Sequence, residues 1–166
     1  MKFDDLEMDY SFLEKTKENG FERLTHIQEK CINEISRGRD VVGQAETGSG
    51  KTLAFGLPIL NKIVPGAGGQ ALILTPTREL CVQITAVFRE FGARRGIQTT
   101  GIYGGVGIGP QIKDIQTADI IVGTPGRILD HIGRNTICFN ATQFVVLDET
   151  DRMLDMGFID DVDKII

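Results

Sequence analysis

The sequence has no tryptophan, only three cysteines and five prolines in 166 residues. Cys31, Cys81 and Cys138 lie far apart and form no C-x-x-C pair, so neither a disulfide framework nor a zinc site is expected. No apolar run approaches the roughly 18 residues of a membrane span, and the acidic start at Met1–Asp5 lacks the apolar core of a secretory signal. These absences predict a cytoplasmic protein with no membrane segment, and the length predicts roughly one domain.

Acidic side chains are concentrated at the two ends of the chain. Residues 148–166 hold seven acids and two bases, and residues 1–22 hold seven acids and three bases, so a net charge of −5 leaves the middle segment at +4. A mildly basic middle permits an anionic partner without requiring one, since solvated surface charge gives the same count.

Short apolar runs alternate with helical patterns along the chain. Continuous runs of this kind are typical of strands covered on both faces in a parallel sheet. The predicted strands are Asp40–Val42, Ala71–Leu74, Asp119–Val122 and Phe144–Leu147, with a weaker one at Ile97–Ile102. Apolar residues at helical spacing predict helices over Ile27–Ile35 and Leu80–Phe91.

This alternation predicts an α/β fold with a doubly wound, mainly parallel sheet and helices on both faces. Ligands of such sheets bind beyond the carboxyl ends of the strands. The loops after Val42, Leu74, Val122 and Leu147 are therefore expected to hold the chemistry.

The segment Ala45–Thr52, Ala-Glu-Thr-Gly-Ser-Gly-Lys-Thr, follows the first predicted strand and precedes a helical stretch. Small residues let successive backbone N–H groups point at phosphate oxygens, and the helix N-terminus adds the positive end of the helix dipole. Lys51 is predicted to reach the β- and γ-phosphates, and the Thr52 hydroxyl to bind Mg²⁺. The alternative is a glycine-rich loop that only caps the helix.

The apolar run Phe144–Leu147 leads directly into Asp148 and Glu149. One carboxylate after such a strand can hold Mg²⁺, and the next can orient and deprotonate an attacking water. Acids also favour helix N-termini for purely structural reasons. Taken with Lys51, the pair predicts the catalytic set of a nucleoside triphosphate hydrolase, with Asp148 on the metal and Glu149 on the water.

These segments belong to an ordered set of short motifs that resembles the first RecA-like domain of a DEAD-box RNA helicase. The matching segments are Gly20–Gln28 (the Q motif, with Phe3 upstream), Ala45–Thr52, Pro76–Leu80, Gly104-Gly105, Thr124–Arg127 and Asp148–Asp151. Two positions depart from the pattern: Thr150 stands where the family has alanine, and Leu24 where it has proline.

The resemblance implies a RecA-like P-loop NTPase domain over residues 1–166, with the Q motif in residues 1–29, that binds ATP and Mg²⁺. It further implies contact with RNA through the backbone and, as partner, a C-terminal RecA-like domain that this chain does not include, in a protein that is a monomer. The nucleotide-binding residues are then Phe21, Arg23, Gln28, Thr47, Gly48, Ser49, Gly50, Lys51 and Thr52. The RNA-binding residues are Pro76, Thr77, Arg78, Gly104, Gly105, Thr124, Pro125 and Arg127, and Asp151 couples the two domains.

Several of these residues also have a simpler structural explanation. Thr25 and Gln28 have the spacing of a helix capping box, whereas the resemblance has Gln28 reading adenine. Thr124 can cap a helix and Pro125 suits its first position. Arg78 can be a first-turn surface charge, and Gly104-Gly105 a flexible loop.

The function that follows is ATP-dependent RNA unwinding by a larger protein, to which this chain contributes the ATP site and half of the RNA surface. An ATP-gated RNA clamp that does not separate strands fits the sequence equally well. A DNA helicase remains an alternative, because discrimination of the 2′-OH is not visible in one sequence. A small-molecule kinase has only the phosphate loop in its favour.

Overall fold

A computed structural model describes all residues from Met1 to Ile166. The chain divides into two compact units, Met1–Ile63 and Val64–Ile166.

The first unit is helical. Its helices are α1 (Tyr10–Glu18), α2 (His26–Ser36) and α3 (Lys51–Lys62), after a short 3₁₀ turn at Phe3–Asp5. Helices α2 and α3 pack against each other, and the buried side chains include Ile32 and Leu57. Gly38, with φ of 78°, follows the end of α2 in the left-handed conformation that ends many helices.

The second unit is a four-stranded parallel sheet with helices. Its strands are β1 (Ala71–Leu74), β2 (Thr99–Ile102), β3 (Ile120–Gly123) and β4 (Phe144–Leu147), in the order β2-β3-β1-β4. Its helices are α4 (Arg78–Gly92), α5 (Ile108–Thr117), α6 (Pro125–Gly133), α7 (Thr150–Asp155) and α8 (Ile159–Ile165). All three strand pairings are parallel, so the α/β prediction is confirmed.

Helices cover both faces of this sheet. On one face, the Cys81 thiol of α4 donates to the Val122 carbonyl at 3.3 Å. On the other face, Leu72 and Leu74 share a buried cluster with residues of α6, α7 and α8, among them Ile128 and Met153. Because Leu74 is in register with both Gly123 and Leu147, the loops that follow β1, β3 and β4 lie at one edge of the sheet.

Two expectations about the strands are wrong. Residues 40–46 form no strand, and the Val42 side chain is fully exposed at 102%. A strand exists only through the ladder of hydrogen bonds to a neighbour, and the run of two valines acquires no such ladder. Strand β4 was expected to be covered on both faces, but it is an edge strand and Val145 is 49% exposed.

None of the helices is long and apolar enough to cross a membrane.

Candidate functional site

The loop Ala45–Gly50 curls ahead of helix α3. Gly48 and Gly50 have φ angles of 81° and 90°, which side chains other than glycine rarely adopt. The Ser49 amide donates to the Glu46 carbonyl at 3.2 Å, whereas the amides of Gly48, Gly50 and Lys51 have no backbone acceptor. The Ser49 hydroxyl oxygen is buried and has no hydrogen-bond partner. These unsatisfied donors at a helix N-terminus fit the phosphate groups of a nucleotide.

The Lys51 ammonium lies inside its own loop. Its Nζ donates to the carbonyls of Ala45 at 2.5 Å and Glu46 at 2.9 Å. These bonds hold the ammonium beside the curled backbone, where an anion bound to the loop amides would attract it.

Gln28 ties the start of α2 to this loop. Its side chain is buried, its Oε1 accepts from the Thr25 amide at 2.9 Å, and its Nε2 donates to the Gly50 carbonyl at 3.1 Å. The capping box between Thr25 and Gln28 is therefore formed. A side chain on Gly50 would collide with Gln28, since an added Cβ would lie 2.4 Å from its Nε2. The contact between Gln28 and adenine stays a prediction. It would use the second lone pair of Oε1 and the second proton of Nε2, which these two hydrogen bonds leave over.

The aromatic residues of the first segment have unequal exposure. Phe3 is buried and its ring centroid lies 6.5 Å from that of Phe21, which is 42% exposed. Arg23 is exposed, and its backbone forms a β-bridge with Lys2. Phe3 thus supports Phe21 from the interior, and the exposed Phe21 and Arg23 remain the predicted base contacts.

In the second unit, the acidic pair follows β4 at the carboxyl edge of the sheet. The Asp148 amide donates to the Leu74 carbonyl at 3.0 Å, which continues the ladder between β1 and β4. Asp148 is buried, and its Oδ1 accepts from the Glu149 amide at 3.0 Å. Glu149 has a φ of 51°, a strained conformation for a residue with a side chain. Its carboxylate pairs with Arg152 at 3.3 Å.

Thr150, one of the two departures from the family pattern, begins helix α7. Its hydroxyl donates to the Leu147 carbonyl at 3.1 Å, within its own turn. Asp151, the predicted coupling residue, is exposed.

Arg78 and the glycine loop lie close together at the same edge. The Arg78 guanidinium stacks over the Tyr103 ring at 4.9 Å, and a Cβ on Gly105 would lie 3.6 Å from its Nη1. Thr77 caps helix α4, because its hydroxyl oxygen accepts from the Leu80 amide at 3.3 Å. The structure therefore brings two of the three predicted RNA segments close together.

The third predicted RNA segment starts helix α6. Pro125 occupies the first turn, as expected, and Thr124 is the N-cap residue. The Thr124 side chain, however, makes no capping hydrogen bond, so the proposed capping role of this hydroxyl is wrong. Arg127 reaches back across the sheet edge, where its Nη1 donates to the Val106 carbonyl and to Gln111 Oε1, both at 3.1 Å.

Two residues of this region were not predicted as important. A Cβ on Gly123 would lie 2.5 Å from Ile128 Cδ1 and 3.1 Å from the Ile102 carbonyl oxygen, so only glycine lets α6 pack this closely on β3. Gln111 is buried at 5% exposure although it is polar. The sequence held one signal for it, because Gln111 lies four residues before Ile115 on the inner face of α5.

No group of three or more His, Cys, Asp or Glu side chains is arranged to hold a metal ion. Burial raises the pKa of the Cys81 thiol to about 11, so at neutral pH Cys81 is a packing residue rather than a nucleophile.

Comparison with known proteins gives one consistent family. The DEAD/DEAH box helicase family model matches residues 25–166. The ATP-dependent RNA helicase CshA of Limosilactobacillus reuteri is 44% identical over 100% of this chain and 34% of its own length. The chain thus spans about a third of that relative.

Two crystal structures are similar to the whole chain. A DEAD box protein from Methanococcus jannaschii is 43% identical, with a TM-score of 0.96 over 99% of this chain and 46% of that one. A hypothetical ATP-dependent RNA helicase from Sulfolobus tokodaii is 39% identical, with a TM-score of 0.88 over 95% of this chain and 46% of that one. By its motifs, its fold and these matches, the chain belongs to the DEAD/DEAH box helicase family.

Proposed function

We propose that residues 1–166 form the N-terminal, ATP-binding domain of an ATP-dependent RNA helicase, which acts with a C-terminal RecA-like domain. The proposal rests on the loop Ala45–Gly50 before α3, which has amides without a backbone acceptor and the buried Ser49 hydroxyl without a hydrogen-bond partner. The relative from Limosilactobacillus reuteri is named an ATP-dependent RNA helicase, which supports the same activity. The proposal includes a monomeric protein in the cytoplasm.

In this proposal the first unit binds the nucleotide. The amides of Gly48, Gly50 and Lys51 donate to the phosphates, and the Lys51 ammonium exchanges the Ala45 and Glu46 carbonyls for phosphate oxygens. Phe21, Arg23 and Gln28 hold the adenine, with Thr47 and Ser49 at the phosphates.

The acidic pair of the second unit is proposed to act in hydrolysis. Thr52 and Asp148 would hold Mg²⁺, which neutralises charge that builds on the phosphates. Glu149 orients the attacking water and accepts its proton. That Lys51-Thr52 and Asp148-Glu149 converge on one triphosphate is a prediction on which this mechanism depends.

RNA binding is assigned to the carboxyl edge of the sheet. Pro76, Thr77 and Arg78 start one helix there, Thr124, Pro125 and Arg127 start another, and Gly104-Gly105 lies in the loop after β2. Helix N-termini and arginines bind phosphates without reading the bases, so recognition should not depend on sequence. Asp151, exposed next to the acidic pair, is available to the second domain.

The hydrolytic role of Glu149 is tested in the complete protein with Glu149→Gln. We expect ATP binding to persist and RNA-stimulated hydrolysis to fall by about 10²–10⁴-fold, the usual contribution of a positioned base. Asp155→Asn, which neutralises an exposed acid at the end of the helix that follows Glu149, is the matched control and should hydrolyse ATP normally. Hydrolysis by Glu149→Gln at the control rate would contradict the assignment.

A strand-displacement assay on the wild-type protein separates the helicase from the clamp. Release of a short labelled strand that requires ATP supports unwinding. RNA binding and ATP turnover without release would show an ATP-gated clamp instead.

A further inference from the structure

Gln111 lies at the centre of a buried hydrogen-bond network in the second unit. Its Nε2 donates to the Tyr103 carbonyl at 2.9 Å, and its Oε1 accepts from Arg127 Nη1 at 3.1 Å. The ring Nε2 of His131 lies 3.2 Å from the same Oε1. These partners fix the amide orientation, since the oxygen must face the arginine and the nitrogen must face the carbonyl.

The network is closed behind Gln111 by His131, which is fully buried. Because Gln111 Oε1 can only accept, the proton of the neutral imidazole is on Nε2. The other ring nitrogen lies 2.7 Å from the Thr136 hydroxyl, whose single proton can go to this nitrogen or to the His131 carbonyl at 3.1 Å. Burial lowers the pKa of His131, which favours the neutral ring.

Both ends of the Gln111 amide hold segments that are assigned to RNA. Tyr103 immediately precedes Gly104-Gly105, and its ring carries the Arg78 guanidinium at 4.9 Å. Arg127 is held twice through one nitrogen, by Gln111 and by the Val106 carbonyl of the same loop. The buried side-chain amide of Gln111 thus links the three predicted RNA segments.

The geometry of Arg127 explains why this link matters for binding. Only Nη1 is used inside the protein, so Nε and Nη2 remain for a phosphate. A long arginine loses rotamer freedom when it binds, and a protein that orders it beforehand avoids that loss during association.

We propose that Gln111 is a positioning residue for RNA binding, which acts by holding Arg127 and the Tyr103–Val106 loop in their binding geometry. This inference rests on the proposed RNA function. Gln111 itself need not touch the RNA, because its side chain is buried.

The test measures the affinity of the complete protein for a short fluorescent oligouridylate. Gln111→Met keeps length and helix preference but removes both hydrogen-bonding ends. We expect its RNA affinity to fall about tenfold, which corresponds to about 1.4 kcal/mol. Gln116→Met, at an exposed position of the same helix, is the matched control and should bind like the wild type.

A double-mutant cycle separates positioning from general damage to the fold. If Gln111 acts through Arg127, Gln111→Met should lose clearly less affinity in an Arg127→Met background than in the wild type, and any loss that remains there comes through the Tyr103–Val106 loop. Equal losses in both backgrounds would overturn the proposed positioning of Arg127. If Gln111→Met fails to fold, Gln111→Leu, which also removes both hydrogen-bonding ends, enters the same cycle.

Comparison of the wild type with the control variant separates a failure of the proposed RNA function from a failure of the proposed role of Gln111. If the wild-type protein does not bind the oligouridylate, the proposed function falls and this inference falls with it. If the wild type binds and Gln111→Met matches Gln116→Met, the inference alone is overturned.

Discussion

Gln28 has two candidate roles, in the capping box of α2 and in binding adenine, and the substitution Gln28→Leu tests both. The substitution removes the acceptor for the Thr25 amide and the donor to the Gly50 carbonyl. Loss of a helix cap costs about 1 kcal/mol. The Gly50 carbonyl keeps its second partner, the Ala54 amide at 3.1 Å, so the other loss is an ordinary hydrogen bond of about 1 kcal/mol.

The free energy of unfolding without nucleotide should therefore fall by about 2 kcal/mol. For a chain of this size, that lowers the melting temperature by roughly 4–8 °C. Urea unfolding followed by circular dichroism measures the change, with Gln44→Leu, at an exposed position ahead of the phosphate loop, as the matched control. Equal stability of the two variants would refute the packing and hydrogen-bonding argument for Gln28.

The same variants address the adenine prediction. If Gln28 also reads the base, Gln28→Leu should lose selectivity for adenosine over guanosine nucleotides, while Gln44→Leu keeps it. Competition of ATP binding by GTP measures this selectivity. A wild-type protein that binds both nucleotides equally would leave Gln28 with the capping role alone.

Three further predictions follow from the second unit. Gly123→Ala should destabilise the protein by about 1–3 kcal/mol through overpacking, whereas Gly133→Ala, where an added Cβ meets nothing within 4 Å, should not; urea unfolding compares them. Thr77→Val should cost about 1 kcal/mol of stability through the lost cap, whereas Thr124→Val, which loses no capping bond, should leave the unfolding free energy nearly unchanged. Burial lowers the pKa of His131 in the folded protein. As the pH falls below about 6.5, the unfolded chain therefore binds a proton at His131 before the folded chain does, and the free energy of unfolding decreases. His131→Gln should lack this part of the pH dependence.

Each of these has a contradicting result. Equal unfolding of the two glycine variants would show that α6 can shift away from β3 at little cost. Equal unfolding free energies of Thr77→Val and Thr124→Val would contradict the capping role of the Thr77 hydroxyl. An unchanged slope of unfolding free energy against pH in His131→Gln would show that this ring does not titrate differently in the folded and unfolded states.

Local chemistry made parts of the fold predictable. The runs at Ala71–Leu74 and Phe144–Leu147 became strands at the predicted residues, because continuous β-branched and apolar residues favour strands. The capping box at Thr25 and Gln28 also formed, since it needs only residues three apart.

Other outcomes depended on partners distant in sequence. The valines at 41 and 42 have strand preference but form no strand, because a ladder needs a neighbour that the local sequence does not specify. Thr77 and Thr124 each precede a helix in a similar way, yet only Thr77 caps its helix through the side chain.

The sequence by itself determined the α/β class and the family and predicted the phosphate loop and the acidic pair, because each is written in residues that are adjacent or regularly spaced. Only the tertiary structure decided that Gln111 joins the three edge segments and that Gly123 must be glycine. Both depend on contacts of about 3 Å between atoms of different helices, strands and loops, and the sequence pattern does not specify those contacts.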